Sequence, residues 1–191
     1  YAAEPEKLNI EMQDFLAPTA GRLPSNRSDI YFKELGSESP ILVKLIMQSI
    51  YQSDKRRIKH IGAQQFGMKF LLRGLYAHNG LFYFYTRIDN DTNMPFAVDF
   101  VTFKVVDKKV AKRTAMQEQV LQPLRAYHQL LEVKANDNER GVFVLEQFSL
   151  SPDKELQVTL YERGGGRTLS FSLDQEDLLL AQKIDKLKLK W

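Results

Sequence analysis

The sequence contains no cysteine, one tryptophan and three histidines in 191 residues. Without cysteine there are neither disulfide staples nor thiolate metal sites, which suits a reducing compartment or one where free thiols are avoided. None of the histidines, at positions 60, 78 and 128, has a partner at a ligand spacing such as HExxH, and His78 stands in a turn signal, so no metal site is read. No apolar run approaches the ~18 residues of a membrane-spanning helix. An excess of one charge sign is all but absent as well, with 27 Lys and Arg against 24 Asp and Glu. The net charge is +3, a smaller and more scattered excess than a dedicated nucleic-acid binder carries. There is no GxSxG elbow and no cluster of carboxylates, and the glycine triplet at 164–166 leads into a strand pattern, which makes it a turn and not a phosphate cradle. The residues offer no catalytic constellation and no cofactor site. The chain begins at Tyr1 without methionine, which reads as the removal of a signal sequence or of a preceding domain.

What the sequence does have is aromatic and β-patterned. Twelve phenylalanines and eight tyrosines in a chain that is 43% hydrophobic are enough for a packed core. Residues 66–109 organise the rest: three apolar runs are separated by His78-Asn79-Gly80 and by Asp91-Thr92-Asn93, the pattern of an antiparallel meander. In residues 81–89 the period is two, with Phe82, Phe84, Thr86 and Ile88 on one face and Tyr83, Tyr85, Arg87 and Asp89 on the other. Asn79-Gly80 accepts the positive φ angles of a tight hairpin. Phe96, Val98 and Phe100 differ in parity from Val101, Phe103 and Val105, as a β-bulge or a crossing between sheets would leave them. Further strands are expected in GVFVLEQF, ELQVTLYE and TLSFSL, the last two forming a hairpin, and a short one at Val120-Leu121 stopped by Pro123.

Ser39-Pro40 opens a helix, with the serine placed to cap it and the proline at the first helical position. Its apolar stripe is Leu42, Leu45, Ile46 and Ile50, and it is expected to run to about Asp54 and to dock on the sandwich. The fold class is therefore mainly β: an immunoglobulin-like antiparallel β-sandwich with one N-terminal helix and an extended N-terminal arm. The divisions are an arm or linker at 1–37, helix and connector at 38–65, the sandwich at 66–174, and a helical turn with a basic tail at 175–191.

The surface candidates are few. Tyr83 and Tyr85 lie opposite the phenylalanines, so they sit beneath the helix or form an exposed interface patch. Two basic clusters, residues 55–60 and Lys108-Lys109 with Lys112-Arg113, read as solvated edges or as contacts to phosphate. Tyr83, Tyr85, Lys112, Arg113 and the terminal Trp191 are the candidate interface residues; there is no catalytic, cofactor-binding or metal candidate.

At KKVAKRTAMQEQVLQPL, preceded by LYAHNGLFYFYTRIDNDTNMPFAVDFVTFKVVDKK and followed by ERGGGRTLSFSL, the chain resembles the TraN family of conjugative-transposon proteins from Bacteroides-type bacteria. The likeness covers roughly residues 38–180. Its most specific part is the order Lys-Lys, Lys-Arg-Thr, Gln-Glu, Pro between Lys108 and Pro123. Family members are similar in role to the outer-membrane-ring proteins of type IV secretion machines, of the TrbG and CagX kind. The resemblance implies a C-terminal β-sandwich half whose N-terminal half is missing. It also implies a structural, non-enzymatic part of a conjugative DNA-transfer apparatus in the periplasm at the outer membrane. Its partners would be other subunits of the machine and, in the full-length context, copies of itself in a ring, with no sequence-specific nucleic acid. A carbohydrate-binding or adhesive sandwich is the alternative, and it would need an exposed aromatic platform. A hydrolase would need acids gathered in a pocket.

Overall fold

The computed structural model describes residues 38–108, 118–128 and 130–184. The chain is mainly β. Among the described residues the order is α1 (Pro40–Ser53), β1 (Gly62–Gln65), β2 (Met68–His78), β3 (Leu81–Asn90), β4 (Phe96–Asp107), β5 (Gln119–Leu121), β6 (Arg125–Tyr127), β7 (Glu132–Val133), β8 (Asp137–Glu146), β9 (Lys154–Glu162), β10 (Thr168–Leu173), α2 (Gln175–Leu179) and β11 (Gln182–Lys183). One sheet runs β1-β2-β3-β8-β6, and β11 joins the edge of β2 in parallel at Tyr76 and Ala77. The other runs β10-β9-β4-β5, with β7 also on β4. Every pairing except that of β11 is antiparallel.

The expected three-strand meander holds for its first two strands only. β2 and β3 pair from Met68–Asn90 to His78–Leu81, and the turn between them holds Asn79 at φ 41 and Gly80 at φ 76, the tight geometry that Asn-Gly favours. β4 does not pair with β3; it crosses to the second sheet and pairs with β9. Asn90 directs the crossing. It is buried, and its side-chain amide donates to the carbonyls of Met94, Val133 and Lys134 at 2.8, 3.3 and 3.0 Å. Its Oδ1 accepts from the Thr92 amide and hydroxyl at 3.0 and 2.7 Å. One buried side chain thus satisfies the backbone of the turn and of the chain leaving β7. The change of parity in β4 is a bulge at Asp99, between the paired residues Val98 and Phe100. Phe96 and Val98 face inward before it, Phe103 and Val105 after it.

The two sheets enclose the main core. Ring pairs cross it, Phe84 to Phe103 at 5.4 Å, Phe103 to Phe143 at 5.4 Å and Phe70 to Phe171 at 4.8 Å between centroids, in the edge-on and tilted arrangements that aromatic quadrupoles prefer. A second core lies on the outer face of the first sheet, where Tyr76, Leu81, Tyr83, Tyr85, Val142, Val144 and Ile184 are covered by α1.

α1 spans 14 residues with Pro40 in its first turn, close to the expected limits. Its buried face is Val43, Ile46, Met47 and Ile50, spaced by three, one and three residues. The stripe read from the sequence is rotated from this by part of a turn. Ile46 and Ile50 belong to it, but Leu45 is 41% exposed, because Val43 and Met47 are the neighbours aimed at the tyrosine layer. Ser39 occupies the capping position in an extended conformation, but its side chain makes no capping hydrogen bond; the first turn is closed by Val43 N donating to Ser39 O at 3.0 Å.

The connector is more ordered than expected, since β1 folds back on β2 through Phe66 (φ 56) and Gly67 (φ 70). Phenylalanine is a poor turn residue in the left-handed region, so Gly67 alone signals this hairpin. α2, expected as a helical turn, is fixed by a capping box: the Asp174 carboxylate accepts from Asp177 N, and the Asp177 carboxylate accepts from Asp174 N, each at 3.0 Å.

Candidate functional site

The most organised polar constellation among the described residues joins four elements that are far apart in sequence. α1 ends at Asp54, a left-handed residue at φ 45, a conformation that aspartate tolerates better than most side chains. A bulge in β2 sets Arg73 apart from its neighbours Leu72 and Gly74, β3 supplies Tyr85, and β8 supplies Arg140. Tyr85 Oη donates to Asp54 Oδ1 at 2.5 Å, and the Arg140 guanidinium reaches the same oxygen at 2.9 Å and Tyr85 Oη at 3.2 Å. Arg73 donates to the Asp54 carbonyl at 3.1 Å and lies 3.4 Å from Oδ1. The Arg140 guanidinium also sits 4.6 Å above the Tyr51 ring, which stacks on His128 at 5.0 Å.

Burial works against ionisation of Asp54. The hydrogen bonds from Tyr85 and Arg140, with the charges of Arg73 and Arg140, outweigh it and hold the carboxyl below its ordinary range. Burial pushes the Tyr85 hydroxyl up to about 12, with help from its bond to Asp54. Apart from Arg73 Nε, which is buried without a hydrogen-bond partner, these groups bind one another, and the arrangement clamps the end of α1 to the sheet. Such a clamp needs residues from positions 54, 73, 85 and 140, and no local motif announces it.

The structure disperses the candidate interface residues. Tyr83 and Tyr85 are fully buried beneath α1, so neither is a surface residue of this chain; the helix takes the place that the interface reading gave to a partner. Lys112, Arg113 and Trp191 lie outside the described residues. The histidines remain apart: His60 is 3.4 Å from Asp177, His78 3.6 Å from Glu38 and His128 3.7 Å from Glu139. Among the described residues no three His, Asp or Glu side chains are gathered as a metal site requires. The glycine triplet closes the β9–β10 hairpin as a turn, held by Arg167, whose Nε lies 3.0 Å from both oxygens of Glu162 and whose guanidinium also donates to Pro95 O at 2.8 Å.

Three surface features were not read from the sequence. Phe100 and Tyr161 stack at 4.7 Å on the outer face of the second sheet, with Phe100 49% exposed; the bulge at Asp99 turns Phe100 outward from a run that otherwise reads as core. Leu179 and Leu180 are 76% and 79% exposed at the end of α2. The signal for them was present, since a five-residue helix that ends in a run of three leucines has only one face to bury, and Leu178 takes it. Beside them, Ala77, Phe82, Phe148, Leu179 and Lys183 line an apolar cleft of about 290 Å³.

A family model described as a domain of unknown function (DUF4138) matches residues 40–183. The chain belongs to the DUF4138 family. The match begins at the first residue of α1 and ends at the last of β11, so helix, sandwich and closing strand together make up the DUF4138 domain. No curated protein and no solved structure matches the chain. No helix among its described residues is long and apolar enough to cross a membrane.

Proposed function

We propose that this DUF4138 protein is a structural, non-enzymatic component of a conjugative DNA-transfer apparatus of the type IV secretion kind, held in the periplasm at the outer membrane. Its partners are other subunits of the machine and, in the full-length context, copies of itself in a ring; it reads no DNA sequence. The positive part of this reading rests on the likeness to the TraN family over residues 38–180. The structural observation that carries it is the clamp at Asp54, whose charges are consumed in fastening α1 to the sheet and making one rigid three-layer block of helix and two sheets.

We read the sandwich as immunoglobulin-like on its strand order. Taking β2, β3, β4, β5, β6, β8, β9 and β10 as A, B, C, C′, D, E, F and G gives A-B-E-D in one sheet and G-F-C-C′ in the other. Affinity purification of the tagged protein from cells carrying an assembled transfer system tests the function. Secretion-ring subunits are expected to co-purify, and their absence would overturn the proposal.

The alternative, a carbohydrate-binding or adhesive module, loses Tyr83 and Tyr85 as a platform but gains the tilted ring pair of exposed Phe100 and half-buried Tyr161. Saturable binding of a glycan that Phe100→Ala abolishes would favour it.

A further inference from the structure

The tertiary fold brings together two features that the sequence keeps more than a hundred residues apart. The backbone of the basic run lies along the edge of β2: Arg57 N and Ile58 N donate to Arg73 O at 2.7 and 3.0 Å, and Leu72 N donates to Ile61 O at 3.1 Å. β11 continues along the same edge at Tyr76 and Ala77. His60 meets Asp177 of α2 at 3.4 Å. The exposed Lys59 and Lys183 therefore share one corner of the domain with Leu179 and Leu180, while the Arg56 guanidinium turns back on the carbonyls of Ile58 and Lys59 at 3.2 and 3.0 Å.

The leucines are held out by a fixed backbone. Leu178 anchors α2 in the main core, Leu180 N donates to Glu176 O at 3.0 Å, and Ala181 N donates to Leu178 O at 3.1 Å. Two adjacent leucines fixed in solvent lose the transfer energy that any apolar covering would restore. α2 and its cap also bring three carboxylates: Asp174 and Asp177 are tied into the capping box, Asp177 also lies against His60, and Glu176 is exposed. The cleft between Phe148 and Leu179 extends the apolar surface, with Lys183 at its margin.

We propose that this corner is a docking surface for an anionic lipid leaflet. Leu179 and Leu180 enter the boundary between headgroups and acyl chains, while Lys59 and Lys183 lie against the headgroup phosphates. Apolar insertion and cationic attraction are the two components of interfacial binding, and here they occur side by side. A nucleic-acid backbone would engage the cations and leave both leucines in water, and base stacking would call for aromatic side chains at this corner in their place.

Flotation of the whole chain with vesicles tests the assignment, using equal parts of phosphatidylglycerol and phosphatidylcholine against phosphatidylcholine alone. The protein is expected to float with the anionic vesicles only. Leu179→Ser with Leu180→Ser, and separately Lys59→Glu with Lys183→Glu, are each expected to lower the partition roughly tenfold or more. Both pairs alter exposed positions, so their thermal unfolding should match that of the parent. In a Trp191→Phe background, Leu180→Trp should show blue-shifted emission when anionic vesicles are added. The proposal is overturned by a parent protein that does not float at low salt. It is also overturned by leucine variants that float undiminished, which would assign binding to charge alone, or by tryptophan emission that vesicles leave unchanged. Tighter binding to duplex DNA than to the vesicles, insensitive to the leucines, would make the corner a phosphate-backbone surface instead.

Discussion

Tyr83 and Tyr85 occupy alternate positions on the same face of β3, both fully buried under α1, yet their hydroxyls differ in one respect. Tyr85 Oη donates to Asp54 and receives Arg140, whereas Tyr83 Oη has no hydrogen-bond partner among the described residues. Replacing each by phenylalanine keeps the ring and removes only the oxygen. For Tyr85→Phe the loss is a hydrogen bond to a charged acceptor, typically about 1.5–3 kcal/mol, reduced here because Asp54 keeps both arginines and is open to water on one side, so about 1–2 kcal/mol is expected. For Tyr83→Phe a buried, unsatisfied hydroxyl disappears, and stability is expected to be unchanged or higher. Differential scanning calorimetry should place Tyr85→Phe roughly 2–8 °C below the parent, and Tyr83→Phe at or above it, given about 2–4 °C per kcal/mol for a domain of this size. Burial raises both hydroxyls, so the alkaline limb of the stability curve is expected to respond to either substitution. The folded Tyr85 hydroxyl is raised to about 12 against an ordinary value of 10.0. A raised acid contributes stability fully below its unfolded pKa and loses it as pH climbs through the folded one, so Tyr85→Phe should flatten the stability curve between those two values. Equal shifts for the two variants, or an unaltered alkaline limb in Tyr85→Phe, would refute the account of the clamp.

Ile46→Ala should cost about 2–5 kcal/mol because the side chain is enclosed by the tyrosine layer, whereas Leu45→Asp should cost less than about 1 kcal/mol; urea unfolding of both variants distinguishes this helix register from the one rotated onto Leu45. Phe66→Asn should raise stability by about 0.5–1 kcal/mol, since asparagine tolerates the left-handed turn at φ 56; a lowered melting temperature would show that the Phe66 ring contributes packing despite its exposure. Asn90→Ala should cost about 2–4 kcal/mol by stranding the carbonyls of Met94, Val133 and Lys134, with faster hydrogen exchange in residues 91–97 as its local signature.

Much of the β architecture was legible because it rests on local pattern. The alternation in residues 81–89 sends Phe82, Phe84 and Ile88 to one side and the tyrosines to the other, and the structure places a core on each side. Asn79-Gly80, the β9–β10 hairpin, the short strand before Pro123 and the start of α1 at Pro40 are set by backbone preferences that act over two or three residues. Where several answers satisfied the local chemistry, the sequence could not choose. α1 carries Ile41, Leu42, Val43, Leu45, Ile46, Met47 and Ile50, enough apolar positions for two overlapping stripes, and only the shape of the tyrosine face selects Val43 and Met47 over Leu45. The strand from Phe96 could pair with β3 or cross to β9, and the choice rests on Asn90 reaching carbonyls more than forty residues away. The Asp54 clamp and the corner where His60 meets Asp177 exist only when distant strands are in register. By itself the sequence determined that the chain is mainly β with one N-terminal helix and a strand bearing tyrosines opposite its phenylalanines, because alternation and turn chemistry act between neighbours. The sheet each strand joined, the face the helix turned inward and the side chains left at the surface were decided by the tertiary structure, because burial and long-range hydrogen bonds have no value until the partners arrive.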